Sequence, residues 1–336
     1  MKRIAVISQQ GDRASGAEHA LLEFLERLPE RIAVDWLFFE DGEFADVMRR
    51  RFASVTIVPM SEKIARTGRS ALRLGAVTDA ASLVLRLRRQ LAMRRPDVVI
   101  TNSMKAHVAG SLAARLAGLR CVNYVHDLVE GNALRLLKIV SRTCAEARLT
   151  CSEAVAAQLR LPSTTVAYAA IDTARFKSLP ERDIARCELG LPAGVPVIGL
   201  VGRIARWKGQ DRFIRIAASV LANQEAHFCI VGSAIFGCDE AYVTELHSTV
   251  VAYGLADRFS FVPWQKDMAR VYAALDLSCN CSDREPFGRT SLEALASGVP
   301  IVCFDDAGVC EVLPGGRCAA VVAAGDERGF ADAVEA

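Results

Sequence analysis

Two glutamates, Glu285 and Glu293, stand in the stretch with the densest potential chemistry, D-R-E-P-F-G-R-T-S-L-E. The Pro-Phe-Gly after the first glutamate predicts a turn, and the apolar spacing that follows predicts a short helix ending near Gly298. A helix that begins just after a glycine presents backbone amides without intrahelical acceptors, together with the positive end of the helix dipole. The stretch therefore predicts a phosphate site, with Thr290 at the start of the helix.

The two glutamates suit a different part of the same ligand. A carboxylate beside a diphosphate would be repelled, whereas it readily accepts hydrogen bonds from a vicinal diol. A nucleotide sugar presents such diols on its ribose and on its sugar. The alternative interpretation is a helix with one solvated glutamate and a glycine stop, so the pair needs support from the rest of the chain.

A basic loop in V-G-R-I-A-R-W-K-G-Q-D is the second candidate, and it carries Arg203, Arg206 and Lys208. It lies between a predicted strand at 195–201 and a predicted helix at 211–224. Phosphates bind at such strand-to-helix crossovers in α/β proteins. The alternative is a cationic loop that is simply solvated.

The first half of the chain offers His126 and Gly16 as candidates. His126 follows a predicted strand in N-Y-V-H-D, and ligands of open α/β sheets bind beyond the carboxyl ends of strands. Gly16 begins a helix in S-G-A-E, where a glycine lets the backbone approach a ligand closely. The alternatives are a polar loop residue and an ordinary turn capped by Ser15. Among the other histidines, His107 ranks next because it opens a helix just after a predicted strand.

These residues need a scaffold, and the alternation of apolar runs with helical spacing predicts one. In the first half, strands are predicted at 3–8, 32–39, 55–58, 98–101, 121–125, 149–151 and 165–168, with a first helix at 16–28. In the second half, strands are predicted at 195–201, 228–231, 259–262, 275–279, 300–304 and 320–322. Strands that alternate with helices predict parallel sheets covered on both faces, the doubly wound α/β class. The alternation pauses at 169–176, which predicts two domains, 1–170 and 171–336, that share a cleft.

Composition excludes several function classes. The 336 residues are 51% hydrophobic and 24% charged, which is typical of a globular protein, and the formal charge of +2 does not favour a nucleic-acid partner. Eleven cysteines without a C-x-x-C pair indicate neither a disulfide framework nor a zinc site. The short apolar start is a strand rather than a signal peptide, and no apolar run approaches a membrane span. We therefore expect a reduced, cytoplasmic protein.

The segment 61–95 has a lopsided charge. Its basic residues are Lys63, Arg66, Arg69, Arg73, Arg86, Arg88, Arg89, Arg94 and Arg95, against the acidic Glu62 and Asp79. Leu83, Leu87 and Leu91 form an i, i+4, i+8 stripe, which predicts an amphipathic helix with a basic polar face. Two interpretations follow: peripheral contact with the inner face of the cell membrane, or a solvated face of a globular domain.

Together these motifs resemble the retaining glycosyltransferases of family 4 (glycosyl transferases group 1), and the resemblance covers nearly the whole chain. It rests on S-G-A-E, the H-D after a central strand, S-E-A-V, I-D-T-A-R-F, G-R-I-x-x-x-K-G, and the spacing from E-P-F-G to the second glutamate. It implies a GT-B architecture, two doubly wound Rossmann-like domains facing across a central cleft. It implies a donor-binding set of Gly16, Arg203, Lys208, Phe287, Gly288, Thr290 and Glu293, and a catalytic set of His126, Glu285, Arg203 and Lys208.

The resemblance also assigns roles. Arg203 and Lys208 would hold the diphosphate of a UDP- or GDP-sugar, and Glu293 the ribose hydroxyls. Glu285, with the backbone of the following Phe-Gly, would hold the sugar and its phosphate, and His126 would touch the transferred sugar. The acceptor would be a glycan or lipid-linked glycan, as in bacterial polysaccharide, lipopolysaccharide or glycoconjugate biosynthesis, and no cofactor is expected.

The mechanism that we expect follows from charge. Breaking the anomeric bond leaves negative charge on the nucleoside diphosphate, which must be stabilised in the transition state. No D-x-D metal signature is present, so two cationic side chains and a helix dipole would do this without a metal. Because both glutamates are assigned to hydroxyls, neither is left as a nucleophile for the double displacement that retaining hydrolases use. We therefore expect retention by front-side attack, with the donor phosphate accepting the proton of the acceptor.

Three positions depart from the family pattern. Ser15 replaces the first glycine of the amino-terminal loop, Ala169 stands at a usual asparagine, and Ala307-Gly308 replaces a usual glycine pair. The chain also stops at Ala336, where family members typically continue through a further helix, so we expect a truncated chain.

Two other functions fit the same residues. A nucleotide-sugar epimerase would share the donor site and release free nucleotide without transfer, and a non-catalytic protein would bind the donor without turnover. An NAD-dependent dehydrogenase is disfavoured because no predicted strand is followed by G-x-G-x-x-G.

Overall fold

The computed structural model describes residues 2–12, 15–52, 54–61, 74–234, 240–313 and 318–336. The chain divides into two compact units, Met1–Ala170 and Ile171–Ala336. Each unit is a parallel sheet with helices packed against it, as the alternation of strands and helices predicts.

The first unit contains a seven-stranded sheet in the order β3-β2-β1-β4-β5-β6-β7. Its strands are β1 (Lys2–Ser8), β2 (Ile32–Phe38), β3 (Ser54–Ile57), β4 (Val98–Thr101), β5 (Cys121–Val125), β6 (Ala147–Thr150) and β7 (Thr164–Val166). Its described helices are α1 (Gly16–Leu25), α2 (Glu43–Arg51), α3 (Leu74–Arg94), α4 (Met104–Leu116), α5 (Gly131–Cys144) and α6 (Glu153–Leu159). All of these strands pair in parallel.

The second unit contains a six-stranded parallel sheet in the order β10-β9-β8-β11-β12-β13. Its strands are β8 (Val197–Val201), β9 (His227–Val231), β10 (Phe259–Val262), β11 (Leu277–Asn280), β12 (Ile301–Asp305) and β13 (Ala319–Ala323). Its described helices are α7 (Arg182–Leu189), α8 (Gln210–Leu221), α9 (Glu240–Ala252), α10 (Met268–Ala273), α11 (Arg289–Ala296) and α12 (Glu327–Glu335). Both sheets therefore follow the doubly wound order in which the chain reverses direction at the first strand.

Each sheet is buried on both faces, because the helices bring apolar stripes to it. In the first unit, α1 packs Leu21 and Leu25 against Trp36 on one face of the sheet. On the other face lies the predicted leucine stripe of α3, and Leu83, Leu87 and Leu91 are all buried there. In the second unit α8 and α12 cover one face, and α7 and α10 cover the other.

The doubly wound order also fixes where ligands bind. At the reversal point, neighbouring strands send their following loops to opposite faces of the sheet, which leaves a crevice at the carboxyl ends. In the first unit this point lies between β1 and β4, and in the second between β8 and β11. The candidate residues of the sequence follow these strands or their neighbours.

Several predicted bounds need correction. The first helix ends at Leu25 rather than Leu28, and a turn follows it. Within the basic segment 61–95, the structure shows α3 from residue 74, while the predicted cations Lys63, Arg66, Arg69 and Arg73 lie outside the described residues.

Three chemical features of the described residues bear on function. Every described cysteine is a free thiol. No group of described side chains could hold a metal ion. None of the described helices combines the length and apolar character that a bilayer crossing requires.

Candidate functional site

A buried ion pair lies at the reversal point of the second sheet. The Lys208 ammonium is 2.6 Å from a carboxylate oxygen of Glu285, and the two side chains are only 15% and 7% exposed. Lys208 comes from the loop after β8 and Glu285 from the loop after β11, and these strands are neighbours in the sheet. The sequence predicted both residues as site members, and the structure brings them into direct contact.

Two backbone contacts hold these loops together. Gly209 has a φ of +69°, and a Cβ at this position would collide with the carbonyl oxygen of Cys281. Only glycine therefore lets the start of α8 pack so closely on the end of β11. The Asp283 amide also donates to the Trp207 carbonyl oxygen at 2.6 Å. The position of Lys208 relative to Glu285 is thus fixed by backbone as well as by charge.

The carboxylate of Glu285 is held ionised. Burial alone would raise its pKa, but the Lys208 charge and hydrogen bonds from Lys208, Ser282 and the Gly288 backbone together lower it. The Ser282 hydroxyl donates to the same carboxylate oxygen at 2.6 Å. The Gly288 amide, predicted to face a phosphate, faces the Glu285 carboxylate in this structure.

Trp207 is a site residue that the sequence analysis did not single out. The Lys208 ammonium lies 4.2 Å from the centre of its ring, and the Arg203 guanidinium 5.9 Å from it. Both distances fall within the range of cation–π attraction. Trp207 therefore contacts both cations that were predicted to bind a diphosphate. In the sequence, the only sign of this role is its position between an arginine and a lysine.

The third cation of the basic loop turns away from the site. Arg206 forms a bidentate ion pair with Glu245 on α9 and stacks 4.6 Å from the Tyr242 ring centre. Its side chain is 67% exposed. Two cations of the loop, Arg203 and Lys208, therefore lie together over the Trp207 ring. The third, Arg206, contacts the exposed side of α9.

The helix predicted after E-P-F-G is present as α11, and Gly288 is its N-cap with a φ of +84°. Phe287, just before this N-cap, is buried, and Thr290 is the second residue of the helix. Lys208, Ser282 and Thr290 line the same narrow cleft, together with Cys281. The start of α11 and the buried ion pair thus share one cleft.

Glu293 lies one turn into α11, is 7% exposed, and is held at both oxygens. Arg289 Nε donates to one oxygen at 2.9 Å, and the Tyr272 hydroxyl lies 3.3 Å from the other. Burial is the largest influence and raises the pKa of Glu293, partly opposed by Arg289, Tyr272 and Arg175. Each carboxylate oxygen has a second lone pair, so these contacts leave Glu293 able to accept from a diol.

The loop after β12 carries one of the departures from the family pattern. Ala307 has a φ of +59°, in the left-handed region that favours glycine, and it pairs in a parallel bridge with Glu285. The amide of Gly308 also donates to the Glu285 carbonyl oxygen at 2.8 Å. Placing alanine here costs about 1 kcal/mol or more of conformational energy.

In the first unit, His126 follows β5 as predicted, and its ring packs 4.0 Å from that of Tyr124. Gly16 begins α1 as predicted, directly after the N-cap Ser15. The Ser15 amide and hydroxyl both donate to Glu18, which also accepts from Ser8 at 2.8 Å. Glu18 is 2% exposed, and burial raises its pKa. The S-G-A-E motif is therefore a capping box with a buried glutamate, and a ligand role for Gly16 remains a prediction.

His107, the second-ranked histidine, belongs to a buried network. Its Nδ1 is 2.8 Å from the Thr101 hydroxyl, which also accepts from the Asn123 amide at 2.8 Å. Burial lowers the pKa of His107 to about 3, so the imidazole is neutral at physiological pH. The structure therefore places His107 inside the first unit, where it supports the ends of β4 and β5.

The second unit thus presents two cations and two buried carboxylates close to a helix start. Such a set suits a ligand that is anionic at one end and rich in hydroxyls elsewhere.

Comparison with protein families gives two matches. Residues 181–336 match the family described as Glycosyl transferases group 1, and residues 14–175 match Glycosyltransferase Family 4. The two matches lie in the second and first units, respectively, and cover nearly all of both.

Curated relatives match over parts of the chain. The lipopolysaccharide core biosynthesis mannosyltransferase LpsB of Rhizobium meliloti is 34% identical over 57% of this chain and 55% of its own length. The 2-deoxystreptamine glucosyltransferase of Streptomyces kanamyceticus is 28% identical over 77% of this chain and 72% of its own length. The match spans about half the length of LpsB and of the mannosyltransferase LpcC of Rhizobium leguminosarum.

Solved structures match over the whole chain. HepE of Anabaena, in complex with UDP and glucose, has a TM-score of 0.85 and 26% identity, and the match covers 99% of this chain and 89% of HepE. Sucrose-phosphate synthase of Thermosynechococcus elongatus has a TM-score of 0.78 at 19% identity, covering 100% of this chain and 88% of its own, which shows a common fold.

Proposed function

The chain belongs to the family 4 glycosyltransferases and has their GT-B fold, and we propose that it transfers a sugar, with retention, from a nucleotide-sugar donor to a glycan or lipid-linked glycan. The observation that carries this proposal is the buried pair of Lys208 and Glu285 at the reversal point of the second sheet. A transferase must hold a charged diphosphate beside a hydroxyl-rich sugar, and this pair offers one group for each.

The donor diphosphate would lie on the cationic side of the cleft. Lys208 and Arg203 would bind its oxygens, and Thr290 at the start of α11 would meet one phosphate group. Glu285 would then exchange part of its contact with Lys208 for hydroxyls of the transferred sugar. Glu293, already oriented by Arg289 and Tyr272, would accept hydrogen bonds from the ribose diol.

These residues would also stabilise the leaving group. As the anomeric bond breaks, negative charge grows on the nucleoside diphosphate, and fixed cations that meet it lower the barrier. The reaction would then need no metal, and full activity should persist in EDTA. Complete loss of activity in EDTA, restored by a divalent cation, would overturn this part of the proposal.

The stereochemical course follows from the roles of the carboxylates. With Glu285 and Glu293 both engaged by hydroxyls, neither serves as a nucleophile. We therefore propose attack from the face of the leaving group, the donor phosphate accepting the proton, with His126 contacting the transferred sugar.

The donor is a UDP- or GDP-sugar in this proposal. HepE is a UDP and UDP-glucose complex, and LpsB is a mannosyltransferase of lipopolysaccharide core biosynthesis. A thermal-shift panel of nucleotide sugars would select among donors, because a ligand that binds the folded state raises its apparent stability.

The glutamate pair gives the sharpest test. Glu293→Ala removes a ribose contact made equally in the ground and transition states, so it should raise the donor KM. Glu285→Ala removes contacts to a sugar that becomes cationic during the reaction, so it should chiefly lower kcat.

Free nucleoside diphosphate is the control for that test, because it keeps the ribose and lacks the sugar. Its affinity, measured by calorimetry, should fall for Glu293→Ala and barely change for Glu285→Ala. Equal losses in both variants, with the fold intact, would contradict the division of roles.

We further propose that the first unit contacts anionic membrane lipid, placing the enzyme at the inner face of the cell membrane. Helices α3, α4 and α5 pack side by side and carry nine lysines and arginines against one acidic residue, Asp79. Four large apolar side chains are exposed on them: Leu85, Met93, Leu116 and Ile139. Cations beside exposed apolar groups suit a bilayer surface.

Vesicle sedimentation tests this contact. Binding to phosphatidylglycerol vesicles should be strong at low salt and weaken steeply as salt rises, while neutral phosphatidylcholine vesicles should bind little. An absence of binding to anionic vesicles at low salt would leave the three helices as a solvated face.

A further inference from the structure

The carboxyl edge of the first sheet contains an asparagine whose side chain is unsatisfied. Asn102 follows β4 at the reversal point, and its backbone amide donates to the Ile7 carbonyl oxygen on β1 at 2.9 Å. The residue is 1% exposed, yet neither its side-chain oxygen nor its nitrogen has a hydrogen-bond partner. Gln10, which follows the neighbouring strand, also has a buried side-chain oxygen without a partner.

This situation is unusual because burial of an unpaired amide costs stability. Asn123, on the adjacent strand β5, shows the ordinary arrangement. Its amide nitrogen donates to the hydroxyls of Thr101 at 2.8 Å and Ser111 at 2.7 Å, although its own oxygen is unpaired. The amide of Asn102 breaks no hydrogen bond when it turns towards a ligand, whereas the amide of Asn123 would break two.

A cation lies three positions further along the chain. Lys105 is in the first turn of α4, a helix of 13 residues capped by the Ser103 hydroxyl. The positive end of a helix dipole disfavours a lysine there. Burial lowers the pKa of Lys105, opposed by the charge of Glu40. Glu40 follows β2, so its interaction with Lys105 places the ammonium near the carboxyl edge of the sheet.

We propose that Asn102 and Lys105 form a binding site for a phosphorylated polyol, such as a sugar phosphate. An amide offers one donor group and one acceptor, which matches a hydroxyl, and an ammonium matches an anionic oxygen. A bound anion would also relieve the conflict between Lys105 and the helix dipole. The site lies in the first unit and goes beyond the proposed donor site of the second.

Two matched leucine substitutions test whether the Asn102 amide is held for function rather than for structure. Asn102→Leu replaces two unsatisfied polar atoms by apolar ones of similar size, so its midpoint of thermal unfolding should equal or exceed that of the native chain. Asn123→Leu removes the donor to two buried hydroxyls, so its midpoint should fall by several degrees.

Binding is tested with sn-glycerol 3-phosphate, which carries hydroxyls and a phosphate. It should raise the unfolding midpoint of the native chain by about 3 °C near saturation. The rise should shrink in Asn102→Leu and in Lys105→Gln. Any binding to the cations of the second unit persists in both variants, so the difference from the native chain reports the first unit alone.

Three results would overturn the proposal. The first is an Asn102→Leu variant as unstable as Asn123→Leu. The second is a midpoint rise that is the same in the native chain and both variants, and the third is no rise in the native chain. None of these measurements uses a nucleotide sugar, so they stand or fall separately from the proposed transferase activity.

Discussion

The two sheets share one strand order but end in different chemistry at their reversal points. In the second unit the carboxyl edge is charged, with Lys208 paired to Glu285 and Arg289 paired to Glu293. In the first unit the buried groups on and just after β4 and β5 are neutral, and Thr101, Asn102 and Asn123 are each at most 1% exposed. The same backbone arrangement therefore supports one charged site and one mainly neutral site.

The order of strands therefore determines where on the sheet a ligand binds, and the residues of the loops determine which ligand binds there. Buried charges are stable only when paired, so a charged edge must keep its partners close until a ligand replaces them. Buried amides and hydroxyls need no counter-ion. Leaving one of them unpaired before a ligand binds costs less stability than leaving a buried charge unpaired. The two edges should therefore respond differently to loss of charge, to pH and to ligand.

The largest expected effect is on the charged edge. Lys208→Met leaves the buried Glu285 carboxylate without its cation, which should lower the free energy of unfolding by about 3–5 kcal/mol at neutral pH. Arg206→Met, two positions earlier, removes the exposed pair with Glu245 and the contact with the Tyr242 ring, and it should cost about 1 kcal/mol or less. Urea denaturation of both variants measures the difference.

The pH dependence adds a second measurement. The pKa of Glu285 lies below its ordinary value in the folded protein, so its stabilising contribution is present at neutral pH and is lost as pH falls through the folded pKa. In Lys208→Met the carboxylate loses its cation, its pKa should rise, and the variant should lose less stability than the native chain on acidification. Equal costs for Lys208→Met and Arg206→Met would show that buried charge does not organise this edge.

The strands of both units were largely predictable because a central parallel strand is a continuous apolar run. The predicted bounds of β4, β5 and β10 agree with the structure to the residue. The prediction for β6 began too late because Arg148 lies inside the strand. Its guanidinium is buried and donates to the carbonyl oxygens of Ser141, Ala145 and Pro162, which lie just before and just after β6 in the chain. The pattern of apolar residues in the strand does not reveal these contacts.

The sequence predicts a site residue when its own side chain supplies the chemistry. It does not predict one whose role depends on the atoms that surround it in the fold. The positions of Lys208 and Glu285 followed from motif spacing, and the structure joins them. The roles of Trp207 and Asn102 depend on which atoms surround them. The Trp207 ring matters because two cations lie over it, and the Asn102 amide is a candidate binding group because it has no hydrogen-bond partner. Neither fact can be read from the sequence.

The neutral edge should show the next largest effect, through His107. Its folded pKa of about 3 lies below the ordinary value of 6.5, so between these values the unfolded chain binds a proton that the folded chain does not. Stability should therefore fall as pH falls through this range. Between pH 5.5 and 4.5 the native chain should lose about 1.4 kcal/mol more than His107→Gln.

Urea denaturation at the two pH values measures this difference. The glutamine variant supplies the baseline, because it keeps a polar group beside Thr101 and every other titrating residue. Parallel losses in the native chain and the variant would mean that His107 is protonated in the folded state, and the edge would then carry a buried charge.

The smallest expected effect is on the Trp207 ring at the charged edge, and tryptophan fluorescence measures it. Lys208 and Arg203 both lie over the Trp207 ring, so a diphosphate that draws them to its oxygens should change the fluorescence of this tryptophan. Addition of UDP or GDP should change the emission of the native chain and of Trp264→Phe, and should change that of Trp207→Phe far less.

Phenylalanine keeps a ring for the cations, whereas Trp207→Leu removes it. A cation–π contact at a partly exposed site is worth about 0.5–1 kcal/mol, so the leucine variant should bind the nucleotide about two- to fivefold more weakly in calorimetry, with the phenylalanine variant in between. sn-Glycerol 3-phosphate, bound in the first unit, should add no further change once the nucleotide is saturating. Unchanged affinity in Trp207→Leu would show that the ring merely lies near the two cations, and that the backbone at Gly209 and the ion pair with Glu285 position Lys208 without it.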